Sequence, residues 1–189
     1  MDRMRRLAVT FAATALAADA AYAVFAVVGE PFGTLNDLGI AIAGLIGAGF
    51  VASATKPEDR TVRSLTWIGA VVTAGGSALV ISRTTGWLLA GFVSALGFGL
   101  MGPGFVRASS RLAERREIGP RLATTGRVLG WLATTGVSAA VPVALRLDDA
   151  GSAPGWSWLT FTGIGVALLP LPIWAILVAR SKELRTAQA

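Results

Sequence analysis

Any chemistry in this chain has to be built around Asp19. It stands near the middle of the first long apolar stretch, 7–28. About 11 residues, or roughly 16 Å along a helix, separate it from Glu30 at the far end. A carboxylate that deep in hydrocarbon is costly, and such groups face a bundle interior or a wet cavity, where they carry protons or coordinate cations. No Lys or Arg lies inside an apolar stretch to pair with it. Its candidate partners are therefore hydroxyls. Tyr22 lies one turn on, and other stretches offer Ser77, Thr134 and Ser138, with Thr73, Ser94, Thr160 and Thr162 in reserve. The competing role for Asp19 is an interhelical hydrogen bond that fixes packing.

A second group of oxygen donors follows directly. The connection 29–37 carries Glu30, Thr34, Asn36 and Asp37 between two glycines and a proline. Asp37 or Asn36 is also placed to cap the second helix. Together with Asp148 and Asp149, Glu30 and Asp37 would form an acidic outer vestibule that concentrates cations above Asp19.

Absences narrow the chemistry. There is no histidine and no cysteine, which excludes bis-histidine haem ligation, a Ser–His nucleophile pair and thiol redox chemistry. Without a lysine in an apolar stretch there is no retinal Schiff base, and a two-aspartate membrane protease needs a second buried aspartate. The acidic residues show no calcium-loop spacing. Gly102-Pro103-Gly104 lacks the Lys and Ser/Thr of a phosphate loop and reads as a helix end. No cofactor or metal is expected, and the sequence points away from an enzyme.

The elements that must hold these residues are apolar helices. Hydrophobic residues make up 53% of the 189 and charged residues only 15%, against about 25% in an ordinary soluble domain. Six stretches, about 7–28, 38–54, 65–82, 86–106, 128–145 and 158–179, approach or reach the roughly 17–25 residues that cross a bilayer. The reading is an all-α polytopic integral membrane protein with six transmembrane helices and a single domain. Six spans put both termini on one side. All of the 17 basic residues except Arg83 and Arg146 fall on that same side, so it is the cytoplasmic one. The net charge of +6 thus records orientation, and no nucleic-acid partner is expected. The first stretch is too long for a signal peptide and is read as a retained helix. The tryptophans at 67, 87, 131, 156, 158 and 174 stand near span ends, as interfacial anchors do.

Small residues fall in stripes: Gly39, Ala43 and Gly47; Gly126, Gly130, Thr134, Ser138 and Pro142; Gly75, Gly76, Gly97 and Gly99. In lipid such faces allow the close contact that drives helix association, either within the chain or in a homo-oligomer. Pro142, near the outer end of the fifth helix, and Pro170 and Pro172, in the sixth, remove amide donors and are candidate kink or gate positions, the sixth helix above all. The 107–127 connection either extends helix four or lies on the membrane, with Arg111, Arg115 and Arg116 against anionic headgroups. The expected function is a small transporter or channel for an ion or small solute, possible proton coupling running through Asp19, in a bacterial inner membrane. The alternative is a non-transporting module that binds lipid or a partner protein.

Overall fold

Each apolar stretch folds as helix, the only open-chain solution that satisfies the backbone inside hydrocarbon. The computed structural model describes residues 3–147, 155 and 157–186. The helices are α1 (Arg3–Val28), α2 (Phe32–Ala54), α3 (Arg60–Ile81), α4 (Trp87–Glu114), α5 (Pro120–Thr134), a 3-10 segment (Thr135–Ala139), α6 (Ala140–Ala144), α7 (Ser157–Leu168) and α8 (Pro170–Thr186). Six helical stretches are long and apolar enough to span a membrane, the fifth running from Pro120 to Ala144 and the sixth from Thr162 to Ser181. The protein is an all-α, six-helix polytopic membrane protein.

Several boundaries differ from the sequence reading. α2 and α3 start at Phe32 and Arg60, several residues earlier than the apolar runs suggest, because helix continues into the polar flanks. Asn36 and Asp37 therefore lie within α2 and do not cap it. The side chain of Glu30 accepts from the Thr34 amide at 3.3 Å and its hydroxyl at 3.1 Å instead. α4 extends beyond the apolar run to Glu114 and a tight turn leads to Pro120, so the 107–127 connection is helix on both sides of that turn. Pro103 does not end α4. Its ring would crowd the carbonyl four residues back, and that residue is Gly99, with Gly102 and Gly104 on either side to ease the fit. Trp174 is no interfacial anchor: it is 1% exposed and donates from Nε1 to the Leu122 carbonyl at 3.0 Å.

The two basic residues on the outer side have a structural reason. Arg83 and Arg146 follow α3 and α6 with φ of 53° and 52°. Their amides, and those of the next residues, close onto the last carbonyls of those helices, as in Arg83 N–H to Val80 and Thr84 N–H to Leu79. A cation there also complements the helix C-terminus.

α4 is the central helix, and glycine sets its distances. A methyl group at Gly97 would strike Thr73 and the Gly69 carbonyl of α3. One at Gly99 would strike Gly136 and Val137 of the 3-10 segment, and one at Gly102 would meet the Gly130 carbonyl of α5 at 2.6 Å. The stripe of α2 is used in the same way: Gly39 lies on Ala18 and Gly47 on Phe11 of α1. These small-residue faces pack within the chain.

The apolar interior divides by depth. Toward the end that holds both chain termini, which the arginine bias reads as cytoplasmic, one cluster joins α1, α2, α3, α4, α5 and α8, with Phe11, Phe50, Phe105 and Trp174 among its largest members. Phe11 meets Phe105 at 6.0 Å between ring centroids, and Trp174 is edge-on to Phe50 and Phe105. Toward the outside a smaller cluster of Leu88, Phe92, Ala95, Ala139 and Ile164 belongs to α4, the 3-10 segment and α7. Among the described residues, neither α1 nor α2 joins it.

Close backbone approach at Gly97 predicts that Gly97→Ala destabilises the protein by about 1–3 kcal/mol through overpacking. Gly75, one residue before the packed Gly76, has open space around it. Gly75→Ala should leave stability unchanged or raise it by up to about 1 kcal/mol from helix propensity. Thermal unfolding of the two variants in detergent distinguishes them.

Candidate functional site

Asp19 lies where the inner cluster ends. α1 contributes Phe11, Ala15, Ala18 and Asp19 to the wall of a cavity of about 30 Å³. Ile40 and Ala43 of α2, Phe98 of α4, Leu168 of α7 and Pro172 of α8 complete it. A space of that size holds about one water molecule. Asp19 supplies its only charged side chain, and the other walls are apolar.

The sequence explains the position. α1 is rich in alanine, so its inner half fits closely against α2 and α8, and Ala8 and Ala12 are wholly buried. Outward of Ala18, α1 has no buried residue, and α2 has none before Ala43. Among the described residues, the α1–α2 hairpin is thus most fully buried at its cytoplasmic half and more exposed at its outer half. Asp19 sits at the level where the two regimes meet.

The break between α7 and α8 forms the opposite wall. Leu169 N–H still reaches the Gly165 carbonyl at 3.2 Å, but Pro170 and Pro172 have no amide to offer the carbonyls of Val166 and Leu168. Leu168 and Pro172 both line the cavity. A water there would have a carboxyl group on one side and a carbonyl relieved of its helical partner nearby, the kind of site that holds a buried water.

The hydroxyls offered as partners stand elsewhere. Tyr22 is 61% exposed on the lipid side of α1. Ser77 is buried on α3, and no partner for its Oγ is found among the described residues. Thr134 donates back to the Gly130 carbonyl at 2.9 Å, and Ser138 pairs with Thr160 at 2.7 Å. None of these four lines the Asp19 cavity. Pro142 lies in α6, just past the 3-10 segment, and the Ser138 carbonyl accepts from the Ala140 amide. Of the outer acidic residues, Glu30 holds the start of α2 and Asp37 accepts from Asn36 at 3.4 Å. Asp148 and Asp149 lie outside the described residues.

A polar cluster at the cytoplasmic end was not singled out from the sequence. Asp59, in the α2–α3 turn, has a side chain only 7% exposed. It accepts from Arg107 Nε at 2.8 Å and from Arg111 Nε and Nη2 at 3.0 and 3.1 Å. The Lys56 amide adds a fourth bond at 3.1 Å, and Arg111 also reaches Glu114 at 2.8 Å. Arg111 therefore turns onto the protein, whereas Arg115 and Arg116 are exposed. Within Lys-Pro-Glu-Asp-Arg, Asp59 looks like a solvated loop charge. The available signal was Arg107 and Arg111, one turn apart on a helix that outruns the apolar stretch.

No family model, curated protein or solved structure matches this chain. Among the described residues there is no group of three or more acidic side chains placed to hold a metal ion.

Bonds from Arg111, followed by those from the Lys56 amide and Arg107, hold the Asp59 carboxyl well below the usual carboxylate range. A lowered folded value means that the contribution is complete above about pH 4, where the unfolded residue is ionised, and is lost as pH falls toward the folded value. Asp59→Asn is expected to lower the melting temperature by several degrees at neutral pH and to flatten its acid dependence. Melting curves between about pH 3 and 7 check both effects.

Proposed function

We propose that this protein is a small transporter or channel of a bacterial inner membrane that moves an ion or small solute, with Asp19 as the group that binds it or carries its coupled proton. The observation that carries this reading is the Asp19 cavity. A carboxyl group lies inside a membrane bundle, beside a proline-broken helix pair, at the boundary between a packed half and a more exposed half of the α1–α2 hairpin. Buried ionisable groups are expensive in membranes and are a default mark of proton or ion pathways.

The arrangement gives each part a task. The aromatic cluster of Phe11, Phe50, Phe105 and Trp174 closes the route inward, and the ion-paired turn at Asp59 holds the cytoplasmic ends together. Motion at the α7–α8 break would reshape the cavity wall at Leu168 and Pro172. Exposed Arg115, Arg116 and Arg121 face the cytoplasmic leaflet, where anionic lipid is their natural partner. The glycines at 39, 47, 97, 99 and 102 are occupied within the chain, so a homo-oligomer would use other faces, such as the open one at Gly75.

The extent of the packed inner cluster favours a second reading, a non-transporting membrane module in which Asp19 serves packing alone. Reconstitution separates the two. Purified protein in liposomes should dissipate a pH gradient or take up solute at a rate above that of empty vesicles, and Asp19→Asn should reduce that rate at least tenfold. Equal flux through Asp19→Asn would remove Asp19 from the pathway. No flux over a broad panel of ions and solutes would favour the module.

A further inference from the structure

We propose that the strip of α4 left open between α3 and α5 holds one anionic phospholipid of the cytoplasmic leaflet, its phosphate on Arg107 and Arg127 and a tail along Pro103 and Leu100. The site lies apart from the Asp19 cavity, and the inference does not depend on the transport reading.

Helix packing leaves the strip. Gly97 and Gly104 of α4 face α3, while Gly99 and Gly102 face the 3-10 segment and α5. Between these seams Leu96, Leu100, Pro103, Arg107 and Ser110 recur at helical spacing, and all are partly exposed. The strip is apolar up to Pro103 and polar from Arg107 onward. An acyl chain ending in a headgroup has the same order.

Register brings a second arginine to the same depth. Gly126, Gly130 and Thr134 of α5 stand against Ser109, Val106 and Gly102 of α4, so Arg127 is level with the stretch between Arg107 and Ser110. Trp174 of α8 takes up the far flank of α5, against Gly126 and the Leu122 carbonyl. Arg127 and Trp131, one turn apart, are exposed on the flank away from Trp174.

The donors suit a phosphate. Arg107 gives only Nε to Asp59, at 2.8 Å, and Arg127 gives only Nη2, to the Thr124 hydroxyl at 3.1 Å. Their other guanidinium N–H groups have no acceptor among the described residues. A phosphate diester, with two unesterified oxygens, matches such forks. Trp131, 61% exposed and one turn nearer the bilayer centre, places its indole N–H at the level of the glycerol esters. Trp67, 42% exposed and next to the Thr66 that meets Gly104, marks the same depth on α3.

Charge favours an anionic lipid over a zwitterionic one. Around the headgroup position Lys56, Arg107, Arg111 and Arg127 outnumber Asp59 and Glu114. Both carboxylates are already bonded to arginine, Asp59 to Arg107 and Arg111, and Glu114 to Arg111 at 2.8 Å. The uncompensated positive charge repels choline and attracts a headgroup of net negative charge. A phosphate shared by Arg107 and Arg127 also fastens α5 to the α2–α3 turn through Asp59.

Native mass spectrometry of the full chain in detergent, titrated with phosphatidylglycerol or phosphatidylcholine of the same acyl chains, tests this. The parent should take up one phosphatidylglycerol saturably and at least about fivefold more tightly than phosphatidylcholine, the effect of one basic residue at an anionic surface. Arg127→Gln should lose that margin, and Arg127→Lys should keep part of it. Trp131→Leu, at a second exposed position, should weaken the lipid about twofold to fivefold. The double variant Arg115→Gln/Arg116→Gln, on the exposed α4–α5 turn, should bind as the parent does. Arg127 is exposed, so Arg127→Gln should melt with the parent in lipid-free detergent. Equal affinity for the two lipids overturns the proposal, and so does parental affinity in both Arg127→Gln and Trp131→Leu. An equal loss in the turn variant reduces the site to a general basic surface and overturns it too. Displacement of the lipid by millimolar inorganic phosphate assigns the arginines to a free anion instead.

Discussion

Backbone-to-backbone contact along α4 is the constraint from which the rest follows. Lipid supplies no hydrophobic drive for helices to associate, so packing must come from close van der Waals contact. Glycines at 97, 99 and 102 let α4 approach α3, the 3-10 segment and α5 more closely than any side chain would permit. Thr73 and Ser94 then exchange long hydroxyl-to-carbonyl bonds of 3.4 Å across the α3–α4 seam. With α3, α4 and α5 fixed in this way, α1 and α2 remain as a hairpin attached at one side.

That attachment is unequal along the membrane normal. At the cytoplasmic end, large aromatic side chains fill the space between α1, α2, α4 and α8, and the Asp59 carboxylate ties the α2–α3 turn to Arg107 and Arg111 on α4. At the outer end, the described residues of α1 and α2 are partly buried or exposed, and among the described residues none joins the outer cluster. A carboxyl group placed fully within the packed half would have no room for water, and one placed near the tip would be a surface charge. Asp19 lies between these extremes.

Much of the architecture was legible because membrane solvation leaves few alternatives. Apolar run length gave six helices, and the one-sided arginines are the sequence's argument for their direction. Helix ends were less legible: helix persists through polar residues such as Asn36 and Asp37, so apolar composition marks the hydrocarbon boundary and not the helix boundary. Pro103 misled because the helix continues through it to Glu114. Trp174 misled because its position near a span end says nothing of which face it occupies. Asp19 could be singled out because charge is rare in such runs, but its neighbours could not. Ser77, Thr134 and Ser138 point to other seams, a matter of helix rotation that small-residue stripes in nearly every helix leave unspecified. Asp59 escaped notice because its partners lie far away in the chain and a charged loop is ordinarily solvated.

The more exposed half of the α1–α2 hairpin ties the protein to the mechanics of its bilayer. Val24, Val27, Val28, Leu35 and Leu38 are covered by acyl chains and not by protein. Swinging this half outward displaces lipid tails, with the protein's polar contacts at the cytoplasmic end left intact. The resistance to that motion is set by tail order, lateral pressure and thickness in the outer leaflet. Two membranes of equal charge but different chain length would therefore load the same exposed side chains differently.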